Sequence, residues 1–455
     1  MTALANDRLV FEVSRPRFRF NDGLAVFLTA IVVLSPLPLG SNRPQFWALG
    51  AAAVGLLGSV YFLSNALKQK PHRVPLRDVA AMASLLALLG TFLVVQLLPT
   101  GGTLPIAGAP SAPTLSLDPG QTWLMLLQIL SYGLFYFLLM QISANRDRAR
   151  LVLHIIFAAV VAYAVLALLS LGQWGDTILG LEKWAYGGSA TGTFVNRNSF
   201  ATFLAMGSAA GLALLMAVPA GRDHPASRIV TAGAIIAGLL IIGATLLATN
   251  SRMGVASAAG GAVVAVVLGS WKLGGGVRRW IAGFIALAIG TAVLLVSFGG
   301  GLFERILAPG GGDGRLEAYS QVWQAILQRP LTGYGGGSFE SAFAIFARPP
   351  LNLDYTWDKA HSTYLQLWFE LGLVFGSIPI MLLLLAGWRS LTTLRRSEGN
   401  WVLGLAGIGA LTVAAIHSTV DFSLEIQANA FLLLALLAVG AAVPAPTRPS
   451  NDRTL

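Results

Sequence analysis

Cysteine is absent from this 455-residue chain, which excludes disulfides, thiolate metal sites and a cysteine nucleophile. Charge is scarce too. Asp, Glu, Lys and Arg make up 11% of the residues, against about a quarter in soluble domains. So little polar sequence cannot coat the soluble domains that a chain of this length would otherwise form. There is no Walker A loop, no HExxH, no GxSxG and no aspartate-rich metal motif, so nothing argues for ATP hydrolysis or a metal centre. The net charge of +10 would suit nucleic acid. Its distribution does not, because the basic residues sit in short clusters between apolar runs rather than on one face.

What the chain has in quantity is apolar sequence: 55% of residues are hydrophobic and the mean hydropathy is +0.70. Runs long enough to cross roughly 30 Å of hydrocarbon fall near 24–40, 45–67, 78–98, 121–143, 151–173, 199–219, 229–248, 253–271, 280–298, 362–387, 401–417 and 428–444. The fold expected is therefore an all-α integral membrane protein of about twelve transmembrane helices. The first run lacks a small-residue cleavage site and is followed by many others, so it reads as a retained helix rather than a signal peptide. The run from Met253, MGVASAAGGAVVAVVLG, is rich in the small residues that let helices approach closely in lipid.

Lysine and arginine bias sets the orientation. With the N-terminus inside, 21 of the 30 basic residues fall in cytoplasmic segments. The outer side keeps Arg43, Lys183, Arg197, Arg252, Arg305, Arg315, Arg329, Arg348 and Lys359. Both termini are then cytoplasmic, and the long loops 99–120, 174–198 and 299–361 all lie outside. The last of these, between spans 9 and 10, holds most of the external charge and is too long for a mere connector.

Three external arginines stand in distinctive settings. Arg197 lies in GTFVNRNSFATFL, flanked by Asn196 and Asn198, where a loop becomes a helix. Arg252 sits in NSRMG, between spans 7 and 8. Arg315 opens GRLEAYSQVWQAILQRPLTGYGGGSF, which reads as an amphipathic helix ending at Arg329-Pro330, followed by a glycine loop around Tyr334. Helix starts offer free N–H groups to anions, and guanidinium presents a planar fork to phosphate. Taken singly, each arginine could merely snorkel to lipid headgroups or pair with Glu304, Asp313 or Glu317. Three together on the positive-poor side point instead to a pyrophosphate-bearing lipid. His361, where the large loop meets span 10, can act as a general base. Glu370 lies just over two turns further down that span, at a depth where an ionisable group serves function. His417 and Asp421 close span 11 and could pair locally.

Five segments, GTFVNRNSFATFL, NSRMG, GRLEAYSQVWQAILQRPLTGYGGGSF, KAHSTYLQLWFELGLVFG and HSTVDFSLEIQANAFLLLALL, resemble in order the O-antigen ligase family of bacterial glycan ligases and polymerases. The resemblance divides the chain into a cytoplasmic segment 1–23, N-terminal transmembrane helices 24–186, a ligase-like region 187–444 including the periplasmic loop 299–361, and a cytoplasmic tail 445–455. It implies a multi-pass inner-membrane glycosyltransferase working on the periplasmic face without a cofactor. The donor would be a glycan on undecaprenyl pyrophosphate, and the acceptor lipid A–core, a second carrier-linked glycan or a protein. Arg197 and Arg315 match the family's pyrophosphate-engaging arginines, and His361 its loop-end histidine. Arg252 matches a recurrent arginine of less defined role. Asn196, Asn198, Tyr334 and Glu370 are the further substrate-binding candidates. Ser362 and Met253, where the family often has asparagine and glycine, leave the subtype open. The competing reading is a transporter or flippase of the same lipid-linked glycans. It would place its charges at mid-membrane and on both faces.

Overall fold

The computed structural model describes residues 19–99, 114–218, 224–274, 281, 285, 314–354 and 356–442. It is mostly helical. In chain order the helices are α1 (Phe20–Leu34), α2 (Pro44–Leu67), α3 (Ala80–Gln96), α4 (Pro119–Ser143), α5 (Arg146–Gly172), α6 (Arg197–Ala217), α7 (Pro225–Ala248), α8 (Arg252–Lys272), α9 (Arg315–Gln328), α10 (Phe339–Phe343), α11 (Thr363–Arg396), α12 (Trp401–His417) and α13 (Gln427–Ala441). A two-stranded hairpin, β1 (Thr177–Ile178) and β2 (Leu181–Glu182), follows α5.

Eight helices among the described residues are long and apolar enough to cross a membrane: α2 to α8, with α3 extended back to Leu76, and α11. Helices α1, α12 and α13 are apolar but shorter. Each of these coincides with an expected span. The expected span 280–298 lies outside the described residues apart from Ile281 and Ile285, as do Glu304, Arg305 and Asp313. The first expected run, 24–40, is helical only to Leu34, and a 3-10 turn follows at Leu39–Ser41. Pro36 and Pro38 lie between them and lack the N–H that would carry the α-helix further.

At the centre of the bundle is α6, with 83% of its apolar window buried against 17–44% for the other long helices. Small residues permit this enclosure. A side chain at Gly261 of α8 would meet Val413 and the Gly409 carbonyl of α12, and one at Gly254 the Ala201 methyl of α6. Arg197 thus stands on the end of a core helix and not on the periphery.

The 314–361 segment builds its own apolar core. Ala318, Val322 and Ile326 of α9 pack with Tyr334, Phe339, Phe343 and Phe369. Helix α9 ends at Gln328, before Arg329-Pro330, as its sequence dictates. The expected continuous span 362–387 differs in the structure. Helix α11 runs to Arg396 but breaks at Gly372, whose backbone (φ 74°, ψ 169°) is not helical.

The break is filled by the glycine loop. Tyr334 N–H donates to the Phe369 carbonyl (3.1 Å), Gly335 N–H to the Glu370 carbonyl (2.9 Å), and Leu373 N–H to the Pro330 carbonyl (2.7 Å). Gln96 of α3 donates to the Glu370 carbonyl as well, at 3.1 Å. These bonds replace the helical ones lost at the kink, as buried backbone requires. Backbone approaches so closely there that a side chain at Gly333 would strike the Glu370 carbonyl, and one at Gly372 the Leu331 carbonyl.

Candidate functional site

Each of the three arginines occupies the first position of its helix. Asn196 caps α6, accepting from Asn198 N–H (2.7 Å) and Ser199 N–H (3.4 Å). Ser251 caps α8 by accepting from Gly254 N–H at 3.2 Å. Gly314, at φ 64°, turns the chain into α9. Helix starts carry free N–H groups and positive dipole ends, so each guanidinium adds a full charge to an already electropositive end.

Arg197 is set against the hairpin loop. Its Nη1 donates to the Ser189 hydroxyl (3.3 Å), and its guanidinium lies 5.2 Å from the centre of the Tyr186 ring. Asn250, at the turn before Arg252, donates to the same Ser189 hydroxyl (3.1 Å) and to the Gly188 carbonyl (3.3 Å). The loop itself is tied down by Lys183, which bonds Asp176 and donates to the Ser189 carbonyl. The Nε of Arg197 is buried and has no hydrogen-bond partner among the described residues. A buried donor of that kind is rare unless a ligand or water takes it up. Asn196 Nδ2 reaches the Tyr186 hydroxyl at 3.4 Å. Arg252 is exposed beside this cluster.

Arg315 and His361 meet on a second cluster, the turn between α12 and α13. Arg315 Nη1 donates to the Val420 carbonyl (3.3 Å). Tyr319, one helical turn after Arg315 on the same face, donates its hydroxyl to the His361 carbonyl at 2.8 Å. Burial pushes the Tyr319 phenol up, so it keeps its proton and remains a donor at neutral pH. The His361 ring packs edge-on between Phe422 (centroids 5.3 Å) and Trp357 (5.9 Å). His361 has φ 52°, a left-handed conformation costly for a residue other than glycine and kept only where its surroundings over-determine it. The Tyr319 bond supplies part of that constraint. Ser362 supplies more as the α11 cap, and Thr363 N–H donates to the Ser418 and Asp421 carbonyls. His417 and Asp421 do meet locally, through the hydroxyl of Ser423.

The two clusters are joined. Asn429, at the start of α13, donates to the Ser199 carbonyl in the first turn of α6 (2.9 Å) and to the Ser423 carbonyl (3.0 Å). The fully buried Asn429 thereby ties the Arg197 helix to the turn that carries Arg315 and His361.

Glu370 belongs to a third group that the sequence did not reveal. Gln366 Nε2 donates to Glu370 Oε1 (3.2 Å) and Glu425 Oε2 (2.7 Å), and Lys359 bonds Glu425 at 2.9 Å. Gly337 N–H donates to Glu370 Oε2 at 2.9 Å. Burial pulls the Lys359 ammonium down, but Glu425 and Glu370 outweigh it and hold its pKa above the usual lysine range. Tyr334 stands apart from all three groups. It is buried, donates to the Ala325 carbonyl (2.8 Å) and packs on Phe369.

Tyr319, Ser189, Asn250, Asn429, Lys359 and Glu425 escaped the reading of motifs. Two signals for them existed: Tyr319 stands four residues after Arg315, and Glu425 is the one carboxylate in SLEIQANAF.

No curated protein matches the chain. Residues 237–380 match the family model described as O-antigen ligase. The matched segment runs from within α7 into α11, taking in Arg252, Arg315, Tyr334, His361 and Glu370, and Arg197 precedes it. Over that segment the match supports the resemblance to the O-antigen ligase family.

Proposed function

We propose that the protein transfers a glycan from undecaprenyl pyrophosphate to an acceptor hydroxyl on the periplasmic face of the inner membrane. The observation that carries this reading is the joining of Arg315 and His361 on one turn. A leaving-group stabiliser and a base thereby share a single support, with Arg197 tied to it through Asn429. As the bond between sugar and pyrophosphate breaks, negative charge grows on a phosphate oxygen. Guanidinium groups fixed beforehand stabilise that charge. The acceptor hydroxyl attacks the anomeric carbon from the opposite face while His361 takes up its proton. Displacement of this kind inverts the anomeric configuration. Asn196, Asn198 and Arg252 would line the donor's path at the first cluster, and Glu370 the acceptor side. Tyr334 would hold the glycine loop in place.

Arginines carry the charge in this scheme, so transfer is expected to survive chelation by EDTA. Activity lost on chelation and restored by Mg²⁺ or Mn²⁺ would show that a metal carries it instead. The orientation has its own test in this cysteine-free chain. Lys70, Glu340 and Arg396 are all exposed. Glu340→Cys should react with an impermeant thiol reagent added to the outer face, and Lys70→Cys and Arg396→Cys should not. The opposite labelling pattern would turn the whole topology over.

Tyr319 is a positioning residue in this account. Tyr319→Phe keeps the ring and removes only the bond to the His361 carbonyl, a loss of about 1–3 kcal/mol. Transfer turnover should fall about tenfold with donor affinity unchanged. Full activity, or donor binding falling in step with turnover, would deny Tyr319 that role. The reading as a whole is tested by reconstituting the protein in proteoliposomes without ATP, with carrier-linked glycan and acceptor. Acceptor that gains glycan supports transfer, whereas carrier-linked glycan that only changes leaflet supports a flippase.

A further inference from the structure

A cavity of about 620 Å³ lies beside α4, walled on its other sides by α2, α3, α11, α12 and α13, and no arginine lines it. It extends along α4 from Gln121 to Met140, roughly 28 Å at 1.5 Å per residue, close to the thickness of the hydrocarbon core. Leu86, Met125, Ile129, Leu367, Leu383 and Leu433 are among its apolar lining. Its charged groups are confined to one end, where Lys359, Glu370 and Glu425 face the space with Gln366, while Gln128, Tyr132 and Tyr136 add uncharged polar groups further along α4. There the Glu425 Oε1 atom is buried and has no hydrogen-bond partner among the described residues.

A long, largely apolar slot with its charged groups gathered at one end fits a single hydrocarbon chain carrying a polar head. The end chemistry decides which head. Two carboxyl groups against one lysine disfavour a pyrophosphate, whose charge calls for cations. Carboxylate and amide oxygens, one of them unpartnered and buried, suit hydroxyl donors. The polar end also adjoins the base: Lys359 stands two residues before His361, and cavity-lining Ser418 accepts from Thr363 N–H.

We infer that this cavity seats the hydrocarbon chain of a lipid-anchored acceptor, with Glu425 and Glu370 receiving hydroxyls of its sugar head beside His361. The inference rests on the proposed glycosyl transfer and makes the acceptor a lipid-linked glycan rather than a protein.

The test uses two photoreactive probes with the same farnesyl tail, one bearing a neutral glucose head and the other a pyrophosphate head, on the purified full chain. In the wild-type protein the glucose-headed probe should label peptides of α4 and α12 about fivefold more than the pyrophosphate-headed one, a preference near 1 kcal/mol. Ala415 lines the cavity from α12. Ala415→Trp should cut the glucose-probe labelling by a similar factor and leave pyrophosphate-probe labelling elsewhere in the chain unchanged. Equal or stronger cavity labelling by the pyrophosphate probe would make this the donor's seat and overturn the inference. Labelling no greater than that by a tail-matched phospholipid would overturn it too, as bulk lipid only. The two readings fail separately. Glucose-probe labelling with no transfer from carrier-linked donor sinks the glycosyl transfer alone, and transfer without labelling sinks the acceptor seat alone.

Discussion

Arg315→Lys and Arg197→Lys should each lower glycan transfer by about 100- to 1,000-fold, the usual cost of removing one positioned charge-stabilising group. Lysine keeps the charge but loses the planar fork, so a site that grips pyrophosphate through two parallel bonds does not tolerate it. The structure sharpens the expectation for Arg197. Nη1 is already committed to Ser189 and the guanidinium is stacked on Tyr186, while the buried Nε is left over for a ligand. An ammonium group cannot satisfy Ser189, cover Tyr186 and serve the ligand from one nitrogen. Arg348→Lys is the control, because Arg348 lies in the same 314–361 segment as Arg315 with its Nη2 donating to Gln324 (2.8 Å), away from both clusters. Its transfer should stay near wild type while all three variants insert and accumulate equally. Arginine variants as active as this control would mean that Arg197 and Arg315 only reach for lipid headgroups.

His361→Ala should reduce turnover by about a hundredfold or more, the range for loss of a general base, and leave donor affinity nearly intact. Donor binding rests on the arginines in this account, and the bond that fixes the 361 backbone comes from its own carbonyl, which alanine retains. The substitution therefore removes the imidazole without removing its scaffold. Weakened donor binding in His361→Ala, with the arginine variants binding normally, would reverse the assigned roles.

Much of the fold could be read from the chain because lipid leaves the backbone few choices. The helix starts at Arg197 and Arg315 and the turn between spans at Arg252 were visible in the motifs, whereas the Asn196, Ser251 and Gly314 caps came from the structure. The stop at Arg329-Pro330 was equally plain. The break in α11 was not. Gly372 lies within LQLWFELGLVFGSIPIMLLLLAG, and a glycine in an apolar run more often marks close helix packing than a kink. What makes it a kink is the loop at 330–337, whose backbone supplies the missing bonds from far away in sequence. The Lys359–Glu425–Gln366–Glu370 group escaped for the same reason. Its members come from a loop, a helix and the turn before α13, and spacing cannot reveal partners that only tertiary packing brings together. Arg315 and His361 were each recognisable singly. Their shared support on the 418–425 turn, and the Asn429 link to α6, required the structure.

The central claim is that the bond between glycan and pyrophosphate is broken and remade on an acceptor hydroxyl. Quantifying free undecaprenyl pyrophosphate and glycosylated acceptor together, from purified protein in proteoliposomes with labelled carrier-linked donor and EDTA present, tests it directly. The account predicts that the two products rise in equal amounts, and that neither rises with His361→Ala beyond a residue of about one-hundredth. Glycan that reaches the opposite leaflet still attached to its carrier, with no pyrophosphate released, would contradict it.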